Sequence, residues 1–242
     1  MRRIQLLIAA LLLCLPVVAS AQEEWVEFSS PEDKFSIVFP GKPTVQQITW
    51  PSEYGAVFPG RVYTVQKGPS RYSVTVIDFR DAEAIHAKID KAPSFDDPRY
   101  WQMDILASVQ YAATKLYRTK PGAKVTYDAW HYIDLVSGHQ LQLTNADNTK
   151  TYVSIYLHEN RLYIVDATVP ANAAPQGIFQ QNLGFQTETG GRIRYDEIYS
   201  NRVPPITIRR NQSGAAGGNA PAGRGGRGGG ARGDGAGAGR GQ

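Results

Sequence analysis

Between Lys124 and Thr168 four extended segments follow one another: Lys124–Leu135, Gln140–Thr144, Lys150–Leu157 and Arg161–Thr168. The connections Asn145-Ala-Asp-Asn-Thr149 and His158-Glu-Asn160 are of hairpin length. Parallel neighbours need a crossover of about a dozen residues or more, so this stretch can fold only as an antiparallel meander. Five earlier segments have the same character: Trp25–Phe28, Phe35–Phe39, Thr44–Trp50, Val57–Gln66 and Arg71–Phe79. Phe35, Ile37 and Phe39 share one face by the period of two. Ser29–Lys34, Pro40-Gly41-Lys42-Pro43 and Lys67-Gly68-Pro69-Ser70 are turns by composition, and Pro59-Gly60 is expected to break or bulge its strand. Ser137-Gly138-His139 also reads as a turn.

The period changes once. From Pro98 to Tyr117 apolar side chains recur at Trp101, Ile105, Val109, Ala112 and Leu116, with Met103, Leu106 and Ala113 widening the stripe. This predicts one amphipathic helix capped by Asp96 or Asp97, with Pro98 at its first position. A lesser helix is expected over 81–89. A terminal helix over Ala171–Asn182 is expected to bury Ile178 and Phe179, with Leu183 beyond it. Strands, a helix, more strands and a last helix predict an α+β class, an antiparallel β-sheet flanked by helices.

Formal charge divides the chain into three. Residues 1–21 carry Arg2 and Arg3 and no acid. Residues 202–242 carry seven arginines against Asp234, and the stretch 22–201 sums to −4, so the overall +4 does not make the folded part a specific nucleic-acid binder. That middle stretch suits one domain. The apolar run Leu6–Val18 spans about 20 Å as a helix, short of the roughly 30 Å hydrocarbon layer. With Ala19-Ser20-Ala21 following it, residues 1–21 read as an export signal cut between Ala21 and Gln22, in a chain that does not span the membrane. Cys14 is the only cysteine, so a mature chain would have no disulfide, thiolate metal site or cysteine nucleophile. Ser213–Gln242 holds fourteen glycines, seven alanines and four arginines and no large apolar residue. This Gly/Ala/Arg-rich segment has nothing to bury against its ordering entropy, and 202–242 is expected to be a linker and a disordered tail.

Trp25-x-x-Phe28, Ser30-Pro31 and Phe35-Ser36-Ile37-Val38-Phe39-Pro40-Gly41-Lys42-Pro43 resemble the opening of exported bacterial domains with a PsbP-like fold. Arg161-Leu162-Tyr163-Ile164-Val165 and Phe179-x-x-Asn182-Leu183-Gly184-Phe185 extend the resemblance over 25–195. It implies an antiparallel sheet sandwiched between helices, in accessory or binding proteins. Its anchors are turn and core residues, so no functional residue is carried over.

Local motifs for chemistry are sparse. His86, His131, His139 and His158 lack the close spacing of metal ligands, and no G-x-S-x-G elbow or phosphate loop occurs. No metal, cofactor or catalytic residue is therefore expected. Period-two geometry places Trp130, Tyr132, Tyr152 and Tyr156 on the more polar strand faces, either lining a groove for a partner or forming second-layer core. In the tail, Arg224, Arg227, Arg232 and Arg240 are candidates for weak, salt-sensitive contact with anionic envelope polymers. Three readings stand: a non-catalytic exported accessory or binding protein of the envelope, contacting an unidentified partner or small ligand; an adhesion or matrix protein that binds through its tail; and an enzyme whose site no local motif shows.

Overall fold

The computed structural model describes residues 25–89 and 99–203. The expected export signal, the cut at Ala21/Gln22, the helix cap at Asp96–Pro98 and the tail arginines Arg224, Arg227, Arg232 and Arg240 lie outside them.

Among the described residues ten strands form two sheets. The large one contains β3 (Thr44–Pro51), β4 (Val57–Lys67), β5 (Ser70–Asp78), β6 (Lys124–Ile133), β7 (Val136–Thr144), β8 (Lys150–His158) and β9 (Arg161–Val169), in the order β3-β4-β5-β9-β8-β7-β6. Every pairing is antiparallel, and the two runs of hairpins meet at β5 and β9. β1 (Val26–Ser30), β2 (Phe35–Phe39) and β10 (Gly184–Phe185) make the small sheet. Between β5 and β6 come α1 (Ala82–His86), α2 (Tyr100–Ala113) and a π-helical turn, Thr114–Arg118; α3 (Gly177–Gln180) follows β9.

The large sheet is buried on both faces, as its central strands require. On β8, Val153, Ile155 and Leu157 point toward α2, where they meet Trp101, Ile105, Val109 and Ala112. Tyr152 and Tyr156 point the other way, with Tyr163 and Val165 of β9, into a layer closed by Phe35, Ile37, Phe39, Phe179 and Phe185. Rings in this layer meet edge to face, as Phe35 and Tyr63 do at 5.0 Å and 77°. The α+β class holds. One face is covered by helices as expected, the other chiefly by the small sheet, with only the single turn of α3.

Four local expectations are overturned. The chain reverses at Asp134-Leu135, both at positive φ (47° and 62°), not at Ser137-Gly138-His139, which lies inside β7. Gly138 is there because Tyr156 crosses it: a Cβ on Gly138 would stand 2.2 Å from the Tyr156 ring and 2.3 Å from the Ile155 carbonyl oxygen. Pro59 leaves β4 continuous, because the β5 ladder starts only at Gly60, so its missing N–H breaks no bond to β5. The terminal helix shrinks to four residues since Pro175 disfavours helix before it, and Ile178 is 85% exposed while Phe179 is buried. α2 has Arg99 at its cap position, and Met103 and Leu106 face solvent, so the buried stripe is narrower than the apolar pattern.

The crowding at Gly138 makes a direct prediction. Gly138→Ala should destabilise the domain by about 1–3 kcal/mol, the usual range for overpacking. The ring can rotate away, but the carbonyl belongs to a buried ladder. Urea unfolding would measure it, and a change below about 0.5 kcal/mol would show that β7 and β8 yield freely.

Candidate functional site

β6 is an edge strand of the large sheet. A register shift between Val125 and Tyr127 turns its later residues over, so that Asp128, Trp130 and Tyr132 lie on the α2 face. Trp130 stands opposite His139, its ring edge-on to the imidazole at 5.5 Å. It remains 65% exposed, beside α2, whose Leu106 is 61% exposed. A cleft of about 260 Å³ opens between Leu106, Val109, Gln110, Trp130, Leu157 and Asn201.

Below Trp130 a charged network fixes the strand to the helix. The π-helical turn brings Arg118 over β6, where Nε and Nη2 donate to the two Asp128 oxygens at 2.7 and 3.0 Å. Arg118 Nη1 donates to Gln110 Oε1 at 2.9 Å, and His139 Nε2 bonds to Asp128. Arg118's hydrogen bond holds the Asp128 carboxyl below its ordinary range, and the same bond raises Arg118. These groups satisfy one another. The cleft above them is lined by the indole, Leu106, Val109 and Leu157, with Ser137 and Ser200 beside them.

The four aromatic candidates are divided between the two faces. Trp130 and Tyr132 are exposed on the α2 face. Tyr152 and Tyr156 are buried on the opposite one and are not contact residues. The Tyr156 hydroxyl lies 3.0 Å from His131 Nδ1, the ring spanning Gly138 to reach it, and burial pushes its pKa up to about 12. The covering layer that hides them is the small sheet. Sequence reasoning missed Leu106, taken as core by its spacing, and the segment Tyr195–Val203. That segment passes round the end of the large sheet: Tyr195 and Tyr199 pack on one core and Val203 on the other.

Another polar cluster resembles hydrolytic machinery only in composition. Asp104 accepts from Ser52 Oγ at 2.6 Å and bonds His86 Nε2 at 2.7 Å, all three side chains buried. The carboxylate sits between serine and histidine, so the imidazole does not reach the hydroxyl, whose oxygen accepts from Ala56 N–H. The cluster ties β3, α1 and α2 together. Among the described residues no three His, Cys, Asp or Glu side chains are grouped to hold a metal, and no helix is long and apolar enough to cross a membrane.

No family model and no curated protein matches the chain. Solved structures do match it. The chain is similar to cyanobacterial PsbP, the CyanoP of Synechocystis. The identity is 10% and the TM-score 0.37, over 65% of this chain and 86% of that one. It is also similar to PA94 of Pseudomonas aeruginosa, a protein of unknown function, at 11% identity and a TM-score of 0.26, over 63% of this chain and 98% of that one. The PsbP-like resemblance in the sequence thus recurs among structures. Neither neighbour contributes a site residue here.

Proposed function

We propose that this chain is an exported, non-catalytic binding module of the bacterial envelope, and that it grips a partner protein by an apolar side chain seated against Trp130. The exposed indole carries the reading. A tryptophan two-thirds open to water, on an edge strand held in place by an ion network, is the kind of residue that dominates protein interfaces. A protein side chain fits better than a sugar, because the most exposed surfaces at the cleft, the indole and Leu106, are apolar. The leader read at residues 1–21 supports export, and the occupied, mis-ordered Ser52–Asp104–His86 cluster gives catalysis no support.

A photo-crosslinking residue at position 106 of the full chain, in cells of its own bacterium, should give a discrete protein adduct. Trp130→Ala should abolish it, while the same residue at exposed Val45 on the opposite edge should give none. With the captured partner purified, Trp130→Ala should raise Kd about tenfold or more. Deleting 204–242 should leave the adduct intact. Adducts that depend on the tail and not on Trp130 would instead establish the tail-binding reading.

A further inference from the structure

A second, separate groove of about 810 Å³ lies where Tyr195–Arg202 crosses the β8–β9 turn. Arg161, the first residue of β9, lines it and is 3% exposed. Arg61, less buried than Arg161, is fully engaged: it forks onto Asp33 and pairs with Glu32 at 2.7 Å. Arg161 is not. Among the described residues its one ion pair is Glu159 at 3.8 Å, beyond hydrogen-bonding distance, and its Nε has no acceptor. A guanidinium carries five donors in a planar fork, and burying it without acceptors is costly.

The surroundings leave that charge without a close partner, with Asp78 opposite it in β5 and Glu197 elsewhere in the groove lining. Arg80 is spent on Asp78, through contacts of 2.9 and 2.5 Å, and Glu188 on Lys34 at 2.6 Å. His158, whose pKa is lowered by burial and then by Arg161's own charge, is neutral at physiological pH and offers no rival cation. Tyr195 and Tyr199, 4.8 Å apart, form an aromatic wall. Glu159 occupies the left-handed region at φ 47°, a conformation unfavourable for its type, and its N–H is held by the Tyr199 hydroxyl at 2.9 Å. Its carboxylate is half-exposed.

We propose that Arg161 is the receptor for an oxyanion, the carboxylate or phosphate of a small ligand lying against Tyr195 and Tyr199. The fork matches either group bidentately. Glu159 stands in for the ligand when the groove is empty and competes with it. The site is independent of the Trp130 cleft and of the partner proposed for it.

The test uses thermal melts and calorimetric titration of the full chain with inorganic phosphate and with acetate, against chloride at equal ionic strength. Phosphate or acetate should raise Tm where chloride does not, and the stronger of the two identifies the class. Glu159→Gln, at an exposed turn, should tighten binding about tenfold by removing the competing carboxylate. Arg161→Lys should weaken it at least as much, since the ammonium lacks the fork. Anions held by the tail arginines would be indifferent to Glu159, which separates that source. No oxyanion-specific shift in either wild type or Glu159→Gln would overturn the proposal, as would binding that both variants leave unchanged. If Arg161→Lys fails to fold, the Glu159→Gln arm still decides.

Discussion

Replacing Asp33 by alanine should lower the unfolding free energy by about 3 kcal/mol, the lower end of the cost of breaking a buried ion pair. Asp33 is buried in the turn between β1 and β2. Its carboxylate accepts from Arg61 Nε at 2.7 Å, from Arg61 Nη2, and from the Tyr63 hydroxyl at 2.6 Å. Its backbone carbonyl accepts from the Tyr163 hydroxyl at 2.8 Å. One residue thus bolts the small sheet to β4 and β9 of the large one. The bonds leave their mark on the partners: burial, then the Asp33 hydrogen bond, pushes Tyr63 up to about 12, and Arg61 is raised chiefly by that carboxylate. The lower end of the range applies because Arg61 keeps Glu32 and Tyr63 keeps Ser30 at 2.9 Å. Denaturant unfolding would measure the loss. Asp33→Ala combined with Arg61→Met should recover part of it, since the second change removes the stranded charge. A single-variant cost under about 1 kcal/mol would place this pair with ordinary surface ion pairs.

The layer that Asp33 anchors also explains what was legible in the sequence. Phe35, Ile37 and Phe39 share a face by the period of two, and that is the face β2 turns to the core against the large sheet. The meander strands are legible for a different reason, their connections being too short for any other pairing. Faces were harder. On β8 both Tyr152 and Val153 are buried, so alternation in polarity there separates two cores, not core from water. A phenol hydroxyl in a core needs one partner, and His131 supplies it to Tyr156; nothing local to residue 156 announces a histidine on β6. Gly138 looked like a turn since glycine has two uses, positive φ and absent side chain, and only the tertiary contact with Tyr156 says which applies. On β6 the register shift after Val125 reverses which residues face α2, and a shift of one residue moves every later side chain across the sheet. Trp130 and Tyr132 stand out in the sequence by their polar neighbours, and of the four aromatics they are the exposed pair. Leu106 was the opposite case: it continues a helical stripe that the sheet is too narrow to cover. The Arg161 groove had no signal at all, because an arginine opening a strand is commonplace until its burial and lack of acceptors are seen.

Acid should unfold this domain earlier than its carboxylates alone require, and His158 should be the reason. Its ring is fully buried, stacked on Phe185 at 4.2 Å, with Nε2 2.7 Å from the Tyr195 hydroxyl and Arg161 opposite in the β8–β9 ladder. Burial first, and Arg161's charge second, lower its pKa to about 4, against 6.5 for a free imidazole. The unfolded chain therefore binds a proton that the folded chain refuses between those values. Stability is full above pH 6.5 and falls as pH drops toward 4, by up to about 3 kcal/mol in all. For a domain of this size that corresponds to a Tm loss on the order of 10 °C. His131, lowered by burial as well, adds to the same slope, whereas buried Asp166, raised by burial, opposes it toward the acid end. His158→Gln keeps a polar partner for Tyr195 and cannot titrate, so its melts from pH 7.5 to 4.5 should be flatter than those of the wild type. Equal slopes for the two proteins would show that His158 does not govern the transition. Because part of the lowering comes from Arg161, an oxyanion seated on that guanidinium should cancel some of it. The inflection measured in phosphate should then move up in pH in the wild type, and should not move when Arg161 is lysine and the anion is no longer held.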